Sequence, residues 1–113
     1  MITVSAVPFT PEPTRDEVDA MRGAVLLEFG INECPHCQAA QPLIAEALKH
    51  HPEVKHLRFE DGRGRRLGRT FAVKLWPALI FMKDGVEVDR VLRPTTQPEV
   101  DAVFNGQMPS ARL

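Results

Sequence analysis

Apolar residues along this chain are grouped in short blocks separated by glycine, proline and charged residues. Nearly continuous apolar runs at 24–29 and 78–82 predict strands that are buried on both faces. Weaker patterns predict strands at 2–7, 54–59 and 86–92, and a Lys-Asp-Gly turn before the last of these is typical of a β-hairpin. The strand at 2–7 is expected to lie at an edge of the sheet.

Helical patterns lie between and after these strands. Two Thr-x-x-Glu capping boxes, at 14–17 and 96–99, each predict a helix that a later glycine ends, at Gly23 and at Gly106. The first of these helices is expected to cover 15–22.

The longest helical pattern begins at a Cys-Pro-His-Cys sequence. Cys34 lies where an N-cap residue is expected, and Pro35 lies at the first helical position, where the missing N–H of proline costs nothing. Apolar residues continue at helical spacing towards His50, so Pro42 is expected to kink this helix rather than end it. A further short helix is predicted at 65–71.

The order of these elements predicts an α/β fold. A βαβ unit followed by a ββα unit on one central mixed sheet, flanked by helices, is the economical packing, because crossovers need parallel neighbours and a hairpin needs antiparallel ones. The 113 residues are expected to form a single domain, residues 1–113. A chain of this length buries about two thirds of the surface that it exposes when unfolded, so it needs no disulfide or metal to fold.

Composition and charge exclude several classes of function. The net charge is -1 and 43% of residues are hydrophobic, which is typical of an ordinary globular protein and predicts no nucleic-acid partner. No apolar run approaches the roughly 18 residues that span a bilayer. The first residues lack a basic segment, and Pro8 interrupts their apolar run, so we expect no secretory signal, no membrane partner and a cytoplasmic location.

Both cysteines of the chain lie in the one motif, as Cys34 and Cys37, so they cannot form a framework of disulfides. Such a pair favours redox chemistry or a metal over a structural role. A structural zinc ion needs four ligands, and His50, His51 and His56 are expected at the far end of the helix or on the next strand. We therefore expect no metal and no cofactor, with a metal-binding protein as the less favoured alternative.

The helix start predicts which cysteine is activated. A free thiol has a pKa of about 8.5, and unpaired N–H groups at a helix N-terminus lower it. His36 is expected to add a donor or a partial positive charge, whereas the neighbouring Glu33 opposes ionisation by like-charge repulsion. We expect Cys34 to be the exposed, attacking residue and Cys37, one turn further, to be the resolving residue.

Together these residues resemble the thioredoxin superfamily over nearly the whole chain. Glu28, within Leu-Glu-Phe ahead of the cysteines, is similar to the buried acid on the strand before the family's motif. Pro42 falls where the family has its helix proline. Trp76-Pro77, followed by an apolar run and Lys-Asp-Gly, is similar to the family's cis-proline loop, strand and turn.

The resemblance implies roles for several residues. A carboxylate in an apolar strand is costly unless paired, and the family analogue of Glu28 shuttles the proton of the resolving cysteine. Arg58 would lie on the neighbouring strand, in position to pair with Glu28 and keep it ionised. Pro77 would be cis, which would leave the backbone of Trp76 free to pair with an extended substrate beside Cys34. The Trp76 ring is expected to line this groove rather than enter the core.

The chain departs from thioredoxin near the motif. Glu33 replaces the usual tryptophan, Pro35-His36 replaces Gly-Pro, and the late glycine near the active site is replaced around Leu92-Arg93. Pro-His is similar to the periplasmic oxidases of the DsbA type, but this chain has no room for their inserted helical domain. These differences concern the partners that dock rather than the fold.

The sequence therefore predicts a protein-disulfide oxidoreductase that exchanges disulfides with protein substrates through Cys34 and Cys37. A thioredoxin-like protein-interaction module is the main alternative. We expect a monomer that a thioredoxin reductase or glutathione recharges. If His36 stabilises the thiolate, the reduction potential should lie above thioredoxin's value of about -270 mV, towards the roughly -120 mV of the strongest oxidants.

Two further groups of residues have predicted locations. The arginines at 63, 65, 66 and 69 form a basic cluster, which we expect to be a solvated surface rather than a docking patch for an acidic partner. The phenylalanines at 29, 59, 71, 81 and 104 are expected in the core.

Overall fold

The structure is a computed structural model that describes residues 7–105. Within this range the elements, in chain order, are α1 (Arg15–Asp19), β1 (Ala24–Gly30), α2 (Pro35–Lys49), β2 (Lys55–Glu60), α3 (Leu67–Thr70), β3 (Ala78–Lys83), β4 (Val86–Leu92) and α4 (Gln97–Phe104). The predicted strand at 2–7 and the helix end at Gly106 lie outside the described residues, except for Val7, which lies in no strand.

The described strands form one mixed sheet in the order β2-β1-β3-β4. β1 and β2 are parallel and are connected through α2, whereas β3 is antiparallel to both β1 and β4. The sheet therefore combines a βαβ unit with a β-hairpin and a final helix, which confirms the predicted fold class.

Two apolar layers cover the two faces of the sheet. Side chains of β1 alternate between them, since Val25, Leu27 and Phe29 enter one cluster and Leu26 enters the other. The first cluster packs under α1 and α3, and the second packs under α2 and α4. Every residue of β1 is buried, as its continuous apolar run predicts. The five phenylalanines expected in the core are all buried.

Two helices are shorter than the sequence predicts. α1 ends at Asp19 rather than at residue 22, because the β3–β4 turn holds the segment that follows. The Gly23 N–H donates to the Asp84 carboxylate at 2.7 Å, and the Asp84 N–H donates to the Gly23 carbonyl at 3.0 Å. α3 begins at Leu67 rather than at residue 65. At this start, the Leu67 N–H donates to the Glu12 carboxylate. Both partners are distant in sequence, so local patterns could not reveal them.

The strand register brings three loops together at one end of the sheet. Phe29, near the end of β1, is paired with Ala78 at the start of β3, and Ala78 is also paired with Leu92 at the end of β4. The loop before α2, the loop before β3 and the loop after β4 therefore leave the sheet side by side.

Candidate active site

The resolving cysteine lies where these three loops meet. A Cβ added at Gly30 would lie 2.5 Å from the sulfur of Cys37 and 4.0 Å from the Cα of Pro77. The peptide bond between Trp76 and Pro77 is cis. Gly30 is thus required by the close approach of the Cys37 sulfur, and the proline loop lies against the same point.

Cys34 is the N-cap residue of α2. Its backbone is extended (φ -78°, ψ 119°), and its sulfur accepts a hydrogen bond from the Cys37 N–H at 3.3 Å. Pro35 and His36 follow in the first helical turn and are exposed. The expectation that Cys34 is exposed is wrong: only 9% of its surface is accessible, because the capping side chain folds back over the helix end.

The two thiols differ sharply in acidity. Burial raises the pKa of Cys34, but this effect is outweighed by hydrogen bonds from Cys37 and from the backbone N–H of His36 and by the positive charge of Arg93, so the pKa of Cys34 is lowered. Burial raises the pKa of Cys37 to about 12, with further increases from Cys34 and from the negative charge of Glu28. His36 thus acts on Cys34 through its backbone.

Glu28 lies on β1 with 1% of its surface exposed and accepts three hydrogen bonds. Arg58, its partner in the strand register, donates Nε to Oε2 at 3.1 Å, which confirms the predicted pair. His56 donates Nε2 to Oε1 at 2.8 Å, and Gln41 donates Nε2 to Oε2 at 2.7 Å. The buried carboxylate therefore has three donors, of which the sequence analysis identified one.

These donors determine the charge of the acid. Burial raises the pKa of Glu28, but the hydrogen bonds and charges of His56, Gln41 and Arg58 outweigh it, so the pKa of Glu28 lies below its ordinary value. Gln41 also donates Nε2 to the Cys37 carbonyl at 3.1 Å. One amide group thus connects an ionised acid on β1 with the helix turn that holds the resolving thiol.

The sequence spacing of His56 and Gln41 also indicates that they lie near Glu28. His56 precedes Arg58 by two residues, so the period of a strand places both side chains on the same face, next to Glu28. Gln41 follows Cys37 by four residues, which places it one turn further along the same face of α2. Each signal requires the register of β1 and β2 to be known first.

Trp76 is half-buried and lies in neither apolar cluster, in agreement with the expectation that it is not a core residue. Its Nε1 donates to the Asp61 carboxylate at 2.9 Å. The Trp76 carbonyl, expected to be free for a substrate, already accepts one hydrogen bond, from Arg93 Nε at 2.9 Å. Arg93 is the residue that the sequence analysis placed at the replaced glycine.

The four arginines of the basic cluster are exposed. Arg65 pairs with Glu60 at 2.8 Å, and Arg65 and Arg69 line a cavity of about 140 Å³ together with Asp61. The predicted solvated surface stays a prediction, because a docking patch for an acidic partner would be exposed as well.

Between residues 7 and 105, no three His, Cys, Asp or Glu side chains are grouped so that they could hold a metal ion. No helix in that range is long and apolar enough to cross a bilayer.

The fold and the site together define a class of proteins. In this class a mixed sheet carries two cysteines at the N-terminus of a helix, beside a loop with a cis-proline. Residues 5–105 match the Thioredoxin family, and the chain belongs to that family. The solved structure of thioredoxin 2 from Pseudomonas aeruginosa PAO1 in its reduced form is similar, with 50% identity, coverage of 92% of this chain and 97% of that chain, and a TM-score of 0.80.

Curated relatives match over a smaller part of their length. Thioredoxin H-type 1 from Nicotiana tabacum is 31% identical over 68 residues, which cover 60% of this chain and 54% of the tobacco protein. Thioredoxin-2 from Pyricularia oryzae is 26% identical over 99 residues, which cover 86% of this chain and 57% of that protein. The chain thus spans a little more than half the length of these two relatives.

Proposed function

We propose that this protein is a thiol–disulfide oxidoreductase that exchanges disulfides with protein substrates through Cys34 and Cys37. The observation that carries the proposal is the different setting of the two thiols in one helix turn. The Cys34 sulfur caps α2 and accepts the Cys37 N–H, and its pKa is lowered, whereas the Cys37 sulfur is buried against Gly30 and its pKa is raised to about 12. Because the thiolate is the nucleophile, Cys34 is the cysteine that attacks first, whereas Cys37 stays protonated until the second step.

In the first step the Cys34 thiolate attacks a substrate disulfide. A bond forms between Cys34 and one substrate sulfur, the substrate disulfide breaks, and the other substrate sulfur leaves as a thiolate that takes a proton from solvent. N–H groups of the first turn of α2 stabilise the Cys34 thiolate beforehand, so this step needs no separate base.

In the second step Cys37 attacks the sulfur of Cys34. The proton of Cys37 passes to Glu28, a Cys34–Cys37 disulfide forms, the bond between Cys34 and the substrate breaks, and the second substrate sulfur leaves as a thiolate that takes up a proton. Two electrons have then passed from the protein to the substrate. Cys34 is itself one cause of the high pKa of Cys37. Once Cys34 is in the mixed disulfide its negative charge is gone, and Cys37 becomes easier to ionise only after a substrate has been captured.

Several partners follow from this proposal. A reducing dithiol or thiol, such as that of a thioredoxin reductase or glutathione, would reverse both steps and restore Cys34 and Cys37. We propose a cytoplasmic, monomeric protein, because the cytoplasm keeps such a pair reduced. The potential of the couple is expected between about -270 mV and about -120 mV, and equilibration with glutathione measures it. A value at or below the lower limit contradicts this expectation.

Reduction of insulin by dithiothreitol tests the proposal. The wild-type protein should accelerate the reaction, Cys34→Ser should abolish the acceleration, and Cys37→Ser should accumulate a mixed disulfide because the second step is lost. Equal slow rates for wild type and Cys34→Ser would contradict the proposal and favour a protein-interaction module. The zinc and iron content of the protein, purified under reducing conditions, tests the metal-binding alternative.

A further inference from the structure

We propose that Arg93 is a specificity-determining residue that favours substrates with a carboxylate next to their reactive disulfide. This inference rests on the proposed function, because it concerns the substrates of the same site.

The first observation is the position of Arg93 beside the cis-proline loop. Its backbone N–H donates to the Pro77 carbonyl at 2.8 Å, and its Nε donates to the Trp76 carbonyl at 2.9 Å. The backbone of Arg93 has a positive φ of 51°, which residues other than glycine rarely adopt. The guanidinium group therefore lies across the loop that borders the two cysteines, at a position that would suit glycine better.

The second observation is that the charge of Arg93 has no counter-ion among the described residues. Arg93 is half-buried, and no carboxylate of residues 7–105 lies within ion-pair distance of it. Among residues 7–105, four arginines pair with acids; these are Arg15, Arg58, Arg65 and Arg90. The other arginines of this range without an acid partner, at 22, 63, 66 and 69, are exposed, whereas Arg93 is half-buried. The Asp61 carboxylate, which follows β2, accepts a hydrogen bond from the Trp76 ring.

The third step is the chemistry that this group would recognise. Within residues 7–105, the Arg93 side chain donates only through Nε, to the Trp76 carbonyl, so its two terminal nitrogens are available to a ligand. A guanidinium group binds a carboxylate through two parallel hydrogen bonds, which gives direction as well as charge. The Trp76 carbonyl keeps a second lone pair, so a substrate N–H could still be accepted there.

A pair of peptide disulfides tests this inference. The two peptides are identical except that the residue next to the reactive cysteine is Glu in one and Gln in the other. For wild type, kcat/KM for the Glu peptide should exceed that for the Gln peptide by about threefold to fivefold, the range of a partly exposed ion pair, and the preference should appear in KM and weaken with added salt. In Arg93→Met the ratio should fall to about one.

Two further variants make the comparison specific. Arg22→Met removes the same charge from an arginine that also donates to a backbone carbonyl, that of Asp84, at the opposite end of β3. It should keep the wild-type ratio. Arg93→Gly suits the positive φ and provides a folded variant if Arg93→Met fails to fold. Using a ratio cancels any change in the reactivity of Cys34 itself.

A measurement that needs no turnover separates this inference from the proposed function. Iodoacetate and iodoacetamide alkylate the same thiolate and differ in charge, so the ratio of their rates with Cys34 measures the attraction of an anion. Arg93→Met should lower this ratio about threefold or more, and Arg22→Met should not. If neither peptide is reduced, the proposed function fails. The alkylation ratio then still tests whether Arg93 attracts an anion to Cys34. Equal ratios in wild type and Arg93→Met, in either assay, would overturn the inference.

Discussion

Replacement of Glu28 by glutamine tests the buried cluster at the base of the site. Glutamine has the size of glutamate and keeps a polar group in place, so the variant removes a charge without opening a cavity. The Arg58 side chain is 4% exposed and makes its only ion pair within residues 7–105 with Glu28, so its charge would lose its counter-ion. Breaking a buried pair by removing one partner typically costs about 3 to 5 kcal/mol.

The remaining contacts of Arg58 determine where in this range the cost falls. Its Nη1 donates to the Val7 carbonyl at 2.9 Å, its Nη2 donates to the Asn32 side chain at 3.1 Å, and the group lies over the Phe9 ring. These neutral partners stay in Glu28→Gln. We therefore expect the free energy of unfolding to fall by about 3 kcal/mol at pH 7, the lower end of the range.

The cost should depend on pH in a defined direction. The pKa of Glu28 is lowered in the folded protein, so its ionised form contributes stability above the unfolded pKa of about 4.3, and this contribution is lost as pH falls through the folded pKa. The difference between wild type and Glu28→Gln should thus be full at about pH 7 and shrink towards about pH 3.

Urea denaturation of both proteins at several pH values measures this difference, provided that the slope m stays the same. The double variant Glu28→Gln with Arg58→Met is the matched control, because replacing both charges should recover much of the loss. A cost below about 1 kcal/mol, or one that does not change with pH, would refute the account of a buried ion pair in this cluster.

Three further predictions concern the cysteines, Gly30 and Gly85, with Gly64 as the control for Gly85. Thiolate absorbance should show Cys34 ionising below an ordinary thiol and Cys37 ionising near pH 12; two equal transitions would contradict the asymmetry. Gly30→Ala should destabilise the fold by about 1 to 3 kcal/mol and slow exchange, because its Cβ would overlap the Cys37 sulfur, and an unchanged melting temperature would count against this packing. Gly85→Ala should lower the melting temperature more than Gly64→Ala: both positions have positive φ, but only the former would place a Cβ 2.0 Å from the carbonyl that ends α1.

The sequence predicted those parts of the fold that local patterns encode. The continuous apolar runs gave the central strands, and the Thr-x-x-Glu boxes gave the starts of α1 and α4, where Thr14 and Thr96 cap as predicted. The hairpin turn followed from Lys-Asp-Gly, and both Asp84 and Gly85 have the positive φ that its two-residue loop needs. These features depend on residues within a few positions of one another.

The parts that escaped prediction depend on contacts between distant segments. His56 contacts Glu28 across 28 positions, and Arg93 contacts Trp76 across 17. Cys34 was expected to be exposed because a helix end usually faces solvent, and its burial follows from the way the side chain caps its own helix. Arg58 could be anticipated only because the family resemblance supplied the strand register.

The charge state of Glu28 restricts its role in the exchange. The pKa of Cys37 is about 12 in the reduced protein, and that of Glu28 lies below its ordinary value, so transfer of the Cys37 proton to this carboxylate is strongly uphill while both cysteines are free. The negative charge of Glu28 also raises the Cys37 pKa, which keeps the resolving thiol protonated at rest. Capture of a substrate on Cys34 removes the contribution of Cys34 to that pKa and brings the two groups closer in acidity. Transfer of the Cys37 proton to Glu28 is therefore less uphill in the mixed disulfide than in the free protein, and we expect Glu28 to act as a base only after a substrate has been captured.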